Sequence, residues 1–385
     1  MDAADLADIV DAVRTFVRNE VVPREEEIDA TDTIPESIVE ACKAMGLYGF
    51  SIPEQYGGLG LTVSQEAELV FELGWTTPAL RSLFGTNNGI AGHVLLEGAT
   101  GEQRKAWLPR LASGEVTASF GLTEADAGSD PSALSTRARL DGSQWVLNGS
   151  KRYITNAPVA DVLMIFARTD PDAVGNRGIS TFLVPAGTPG VTIGPPDRKM
   201  GQFGAHTADV HLDDVVVPLD AVVGGDEGVN NGFRIAARCL AHGRVQIAAL
   251  CVGMAARLVH ESVEFARTRE QGGAPIARFQ LIQGLIADSV TDHYAGRALV
   301  LDVAKNYDGG TDKISGPSAA KYFCSEMVGR VADRAVQIHG GAGYLRGVAV
   351  ERFYRDARLF RIYEGTSQIQ QVILARQALG AAARA

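Results

Sequence analysis

The sequence predicts an α+β multidomain chain in the order helices, β unit, helical bundle, and three observations carry that order. Apolar residues recur at helical spacing up to about residue 117; short strand-like runs broken by Asx-Gly dipeptides follow; and long helical periodicities with few breakers return after about Val229. A nucleotide fold of alternating strands and helices would place a helix between every pair of strands, and this chain does not. Its 385 residues, 46% of them hydrophobic, exceed what one compact core usually holds, so the expected units are residues 1–117, 118–228 and 229–385.

In the first unit Leu6, Ile9, Val10, Val13, Phe16 and Val17 share one helix face, and the regions Leu69 to Leu73 and Arg104 to Leu111 continue the pattern. From Thr117 strands are predicted at Leu134 to Leu140, Trp145 to Leu147 and Lys151 to Thr155. Asp141-Gly142 and Asn148-Gly149 between them read as tight hairpin turns, which need positive φ. Val162 to Ala167, Ser180 to Val184 and Ala208 to Leu212 complete the strands. The last unit offers helices over Gly232 to Arg269, Ile276 to Asn306, Gly316 to His339 and Ser367 to Leu379, whose apolar faces would pack on one another.

A net charge of −10 and the lack of a basic run with interleaved aromatics argue against nucleic acid. The N-terminus opens on Asp2, Asp5 and Asp8, and apolar stretches such as Val162 to Ala167 are too short to span a bilayer, so a cytoplasmic protein with no membrane partner is expected. Cys42, Cys239, Cys251 and Cys324 are scattered and read as buried small hydrophobes. Gly341-Ala-Gly343-Tyr-Leu-Arg-Gly347 lacks the preceding strand of a dinucleotide loop. His206 and His211, the one close histidine pair, make a poor metal site, and none is expected.

Near the C-terminus, Ile362-Tyr363-Glu364-Gly365-Thr366-Ser367-Gln368-Ile369-Gln370 precedes the last apolar periodicity, and Ser367 with Gln370 has capping-box spacing. Glu364 then lies ahead of a helix N-terminus, whose dipole favours the carboxylate. Local physics leaves it either a base or an acidic residue before a capped helix.

Five segments in order carry a resemblance. Phe120-Gly-Leu122-Thr123-Glu-Ala-Asp-Ala-Gly128-Ser129-Asp130 and Asn148 to Asn156 resemble the two flavin segments of the acyl-CoA dehydrogenase family. Gln337-Ile-His-Gly340-Gly341 is similar to a third, Pro53 to Gly60 has the family's look, and the Glu364 segment resembles the family's catalytic-base motif. The resemblance covers the whole chain. It implies an N-terminal helical domain, a middle β-barrel-like domain and a C-terminal four-helix bundle, with FAD between the last two. Phe120, Leu122, Thr123, Tyr153, Ile154 and Thr155 would lie beside the isoalloxazine; Gly128 and Ser129 suit a pyrophosphate, because glycine admits close backbone approach. Arg269, Gln271, Gln337, Gly341, Thr366 and Gln368 match the remaining flavin contacts, with Arg269 and the Gln337 segment reaching a neighbouring subunit's FAD. A homotetramer, a dimer of dimers, is implied. Where the family commonly has an aromatic and a glycine after Arg-x-Gln, this chain has Gly272-Gly273, which loosens the expected hold on the adenosine end.

The implied reaction is α,β-dehydrogenation of an acyl-CoA to the trans-2-enoyl-CoA, with Glu364 taking the α-proton and flavin N5 the hydride. A thioester α-hydrogen is a very weak acid, so the enolate needs stabilisation; in the family the N–H of the base and a flavin hydroxyl supply it. Gly243 stands where some members carry their base, which leaves Glu364 without a rival there. Ser129, Arg244, Tyr363 and Gly365 are the implied substrate residues. Arg81 falls where glutaryl-CoA dehydrogenases carry a carboxylate-binding arginine; the simpler reading is a surface arginine flanking a helix. Burial of Glu364 beside flavin and substrate is expected to outweigh the helix dipole. Electron-transferring flavoprotein is the implied acceptor. A non-catalytic flavin- or acyl-CoA-binding scaffold is the alternative function.

Overall fold

The computed structural model describes residues 1–382. It opens with α1 (Ala3–Phe16), α2 (Glu25–Thr31), α3 (Glu36–Ala44), α4 (Val63–Leu73), α5 (Pro78–Gly85), α6 (Ala91–Gly98) and α7 (Gly101–Ser113). Their starts are written in the sequence: Asp2 accepts from the N–H groups of Ala4 and Asp5, while Thr62 with Gln65 and Thr100 with Gln103 form reciprocal capping boxes.

The middle unit contains β1 (Ala118–Gly121), β2 (Arg137–Asp141), β3 (Gln144–Thr155), β4 (Val162–Arg168), β5 (Ile179–Pro185), β6 (Val191–Ile193) and β7 (Thr207–Pro218). The sheet order is β1-β4-β2-β3-β7-β6, with β5 also paired to β4; β1 runs parallel to β4. The expected hairpin forms one residue later than read: Asp141 pairs with Gln144, so Gly142 and Ser143 make the turn and only Gly142 takes positive φ. Asn148-Gly149 is a correction. It is no hairpin but a bulge within the single long strand β3, where the register against β7 shifts between Leu147 and Gly149. Gly149 takes φ +149°, and an added Cβ would lie 2.7 Å from the Thr136 Cα, so the bulge also needs glycine for space. The strand expected from Leu134 begins only at Arg137, because Pro131–Ala133 forms a 3-10 turn and Glu124 captures the N–H groups of Ser135 and Thr136.

The last unit is α8 (Gly232–Thr268), α9 (Gln280–Asp308), α10 (Ser315–His339), α11 (Ala349–Ala357) and α12 (Ser367–Ala382). Arg269 lies just past the end of α8 in extended backbone instead of within the helix. α8 is long and apolar enough to cross a membrane, but 89% of its apolar window is buried inside the protein, the behaviour of a core helix. The helices of the first and last units share one hydrophobic core, from Val13, Phe50 and Leu69 to Leu250, Met327 and Phe353. α6 and α7 instead pack with β1 and β4. The turn before α12 is thereby fixed between α5, α8 and α10. All four cysteines are buried thiols.

Candidate active site

Glu364 stands on a strained turn. Its φ is +53° and that of Gly365 +88°, two successive left-handed residues; such a backbone in a non-glycine residue costs on the order of 1–3 kcal/mol and persists only when its surroundings hold it. Two side chains do so, through three hydrogen bonds. The Gln370 Nε2 donates to the carbonyls of Glu364 at 3.2 Å and Gly365 at 3.0 Å, and the Lys321 Nζ donates to the Gly365 carbonyl at 2.7 Å. A Cβ at Gly365 would come within 2.6 Å of the Gln370 Nε2, so glycine is required there. The cap of α12 differs by one residue from expectation. Thr366 Oγ1 accepts from the Ile369 N–H at 3.2 Å, whereas the Ser367 hydroxyl donates to Glu326 at 2.6 Å and Gln370 turns back to the strained turn.

The carboxylate points at α8. A Cβ placed on Gly243 would sit 2.5 Å from Glu364 Oε2, so the space that a side chain at 243 would occupy is the space Glu364 fills. Oε2 is buried without a hydrogen-bond partner. Burial raises the Glu364 carboxyl above its ordinary pKa; Arg81, Lys321, Arg244 and His242, in that order, oppose the rise. Desolvation thus outweighs these four opposing charges. Arg244 on α8 is itself held below its usual pKa by burial, has a buried Nε without a partner, and donates to the Ser318 hydroxyl at 3.4 Å. The Tyr363 ring packs on Phe360 at 5.9 Å between centroids.

Arg81 is not a surface arginine. It is 7% exposed, and its Nη2 donates to Gln246 Oε1 while its Nε is buried without a partner. Its guanidinium lies over Gly85 of α5 and over Gly89, where added Cβ atoms would approach it to 2.8 and 3.3 Å. Small residues one and two turns along make the groove that lets this arginine fold inward. Gln246 in turn donates to Glu66 on α4 at 2.8 Å, and His242 Nε2 also meets Glu66 Oε2 at 2.8 Å. The His93 ring stacks on His242 at 3.7 Å, and burial holds it well below its ordinary pKa, so it is neutral. Glu66, His93 and His242 bring ligand atoms within 4.8 Å of one another. Rings bound to one ion radiate from it, however, and a stacked pair does not present both nitrogens to one point.

The expected flavin segments line the sheet and its loops. Phe120 packs on Phe166 at 4.8 Å, and Leu122 is buried in the same cluster. Thr123, Gly128 and Ser129 follow on the loop after β1, the last two exposed. The register of β3 against β7 shifts again between Lys151 and Ile154; at that break Tyr153, φ +59°, turns its ring outward to 58% exposure while Ile154 turns into the sheet core. Ile154 therefore offers a ligand only its backbone. Beneath, Lys151 and Glu124 form a buried ion pair at 2.6 Å; burial opposes the ionised Glu124, yet Lys151 holds it down at about 2. Thr155 is half-buried at the end of β3, Thr366 caps α12, and Gln368 is exposed.

Arg269 and Gln271 are exposed beyond α8, and Gln337 and Gly341 at the far end of α10. Twenty-five residues of helix separate Arg244 from Arg269, roughly 38 Å at the α-helical rise. This chain's own fold therefore does not bring that set to the Glu364 turn.

Models of three successive domains match the chain: the acyl-CoA dehydrogenase N-terminal domain over residues 4–115, the middle domain over 119–215 and the C-terminal domain over 230–379. The chain is 37% identical over 349 residues to the caffeyl-CoA reductase-Etf complex subunit CarC of Acetobacterium woodii, with 91% of each covered. The chain belongs to the acyl-CoA dehydrogenase family. Among solved structures it resembles butyryl-CoA dehydrogenase from Megasphaera elsdenii at a TM-score of 0.93 and 31% identity, covering 97% of this chain and 98% of that one. Glutaryl-CoA dehydrogenase from Mycobacterium smegmatis superposes at 0.91 with 30% identity, covering 99% and 96%. Acyl-CoA dehydrogenases are FAD-dependent oxidoreductases acting on acyl-CoA thioesters.

The residues present fit that cofactor. An added Cβ at Gly128 meets nothing within 4 Å, so a pyrophosphate could approach the backbone, and the exposed Tyr153 ring stands at a break in the strand ladder. Reading the sequence alone missed Lys321, Gln370, Gln246, His242 and Glu66. The sequence signal for part of this set is polar His242 and Gln246, one turn apart in the mostly apolar middle of α8.

Proposed function

We propose that the protein removes the α-proton of an acyl-CoA thioester with Glu364 and so forms the trans-2-enoyl-CoA. The observation that carries this reading is the Glu364 carboxylate itself: Oε2 buried without a partner, on a strained turn, with a glycine at 243 leaving it room. A carboxylate raised by burial is a stronger base than one in water, and Arg81, Lys321 and Arg244 favour its ionised form. The Glu364 N–H is the donor from this chain to the thioester oxygen. Ser129, Arg244, Tyr363 and Gly365 complete the substrate site. Phe120, Leu122, Thr123, Gly128, Ser129, Tyr153, the Ile154 backbone, Thr155, Thr366 and Gln368 would hold FAD. FAD, when bound, supplies the acceptor for the β-hydrogen as hydride. Arg269, Gln271, Gln337 and Gly341 would serve the FAD of a second copy in a homotetramer, in keeping with their place past the end of α8 and at the far end of α10. Electron-transferring flavoprotein is the proposed acceptor of the reducing equivalents.

Anaerobic titration of the purified holoprotein with straight, branched and dicarboxylyl acyl-CoAs tests the reading through flavin bleaching. Bleaching by at least one of them is expected; none by any, with FAD bound, would favour the non-catalytic scaffold.

One observation favours a dicarboxylyl substrate as a second reading. Arg81 is buried beside the base with an unpartnered Nε, and a free carboxylate would complete its hydrogen bonds. Comparing glutaryl-CoA with butyryl- and octanoyl-CoA decides it, and inert glutaryl-CoA would dismiss it.

A further inference from the structure

α10 meets the Glu364 turn and its surroundings at three points, one on α8, one on the turn and one at the start of α12. Ser318 accepts from Arg244 at 3.4 Å, Lys321 donates to the Gly365 carbonyl at 2.7 Å, and Glu326 accepts from Ser367 at 2.6 Å. The middle contact is the unusual one. Lys321 is 0% exposed, and a buried ammonium is tolerated only against compensating charge and hydrogen bonds. Its single carbonyl partner leaves most of that compensation to neighbouring charges. Those facing it are Cys251 and Arg244 from α8, Glu364 from the turn, and Glu326 from its own helix. Burial pushes the Cys251 thiol well up, so at neutral pH it carries no charge and the anions present are Glu364 and Glu326. Glu326 is already engaged by Ser367 and by Arg361 at 3.2 Å. Glu364 Oε2 has no hydrogen-bond partner of its own. Glu364 is thus the anion facing Lys321 that has a carboxylate oxygen to spare, and Arg81 from α5 and Arg244 and His242 from α8 face the same carboxylate.

We propose that Lys321 is a positioning residue for the base: its ammonium clamps the Gly365 carbonyl, fixing the strained turn, and its charge keeps the buried Glu364 ionised. This rests on Glu364 being the base. Through the Gly365 carbonyl, Lys321 acts on the backbone that aims the carboxylate; through space, it acts on the charge state. A tether alone would do only the first. Burial pulls the Lys321 ammonium down, and of the groups that oppose this, Cys251, Glu364 and Glu326, the thiol is neutral at pH 7.

The test is the pH dependence of kcat/KM for the FAD-loaded enzyme with its best acyl-CoA, measured for Lys321→Met, Lys321→Gln and Lys321→Arg, with flavin content and thermal midpoint recorded for each. Both neutral variants are expected to shift the ascending limb up by about one pH unit, so that kcat/KM falls about tenfold more on the acid side than on the alkaline plateau. Lys321→Arg should keep the wild-type limb. A folded Lys321→Met or Lys321→Gln with an unshifted limb overturns the proposal. So does loss of folding in both neutral variants with Lys321→Arg folded, because Lys321 would then serve stability alone. Glu364→Gln, assayed alongside, separates the two claims: an active Glu364→Gln defeats the base assignment, whereas an inactive one with unshifted Lys321 variants defeats only the role of Lys321.

Discussion

Replacing Gly243 by alanine should separate catalysis from stability. The new methyl carbon would sit 2.5 Å from Glu364 Oε2 and 3.3 Å from Cδ, whereas ordinary contact begins at 3.4 Å. The carboxylate must therefore retreat by about 0.9 Å, and a misplacement of about 1 Å at the reacting centre costs on the order of 100-fold in rate. That is about 2.7 kcal/mol of transition-state stabilisation. Stability should move the other way. The atoms in the way are the end of a side chain, which can shift cheaply, and an interior helical glycine gains about 1 kcal/mol on becoming alanine. Stopped-flow measurement of anaerobic flavin reduction gives the rate, and a thermal melt gives the stability. A rate near 1% of wild type with an unchanged or raised midpoint is expected. A rate within about threefold of wild type would mean that the proton does not go to this carboxylate in this position.

Arg81→Gln should lower kcat/KM for glutaryl-CoA about 10- to 100-fold, the worth of a buried charged hydrogen bond. At alkaline pH it should leave butyryl-CoA within a few-fold; equal losses on both substrates would make Arg81 only a counter-charge to Glu364. Asp356 on α11 accepts from the Gln202 N–H and is pushed up to about 7 by burial against the pull of Gln202, Arg355 and Arg352. The folded state therefore binds the Asp356 proton more tightly than the unfolded chain does. That contribution is present below about 4 and is lost as pH rises through about 7. Asp356→Asn should accordingly gain stability relative to wild type between pH 5 and pH 8 in denaturant titrations, and a pH-independent difference would contradict this. Gly149→Ala forces a methyl to within 2.5 Å of Thr136 Oγ1 at φ +149°, and should destabilise by about 3 kcal/mol in the same assay; a change below about 0.5 kcal/mol would show that the bulge can relax.

What the sequence reveals depends on how local its cause is. The helices follow from apolar period and caps, as with Thr62 and Thr100, because each signal lies within four residues of its effect. Asp141-Gly142 and Asn148-Gly149 show the limit. Both dipeptides carry positive φ at glycine, but only the partner strand β7, some sixty residues on, makes the second a bulge instead of a turn. Thr366 and Ser367 are adjacent hydroxyls with equal claim to the cap, and Glu326 on α10 draws one of them away. The proposal of Glu364 as base comes from its motif and not from local physics, because what raises and balances its charge arrives from α5, α8 and α10. Arg81 looked exposed for the same reason: its partner Gln246 lies 165 residues further along the chain.

The central claim is that Glu364 takes the α-proton. Its most direct test is Glu364→Gln, purified with FAD and titrated anaerobically with the acyl-CoA that bleaches the wild type, while exchange of the substrate α-hydrogen with D2O is followed by mass spectrometry. The variant should remain folded, bind FAD and the thioester, and show neither bleaching nor exchange on the wild-type timescale, with a thermal midpoint lowered by the loss of the anion facing the buried Lys321. Near-normal bleaching or exchange in the folded variant would contradict the account.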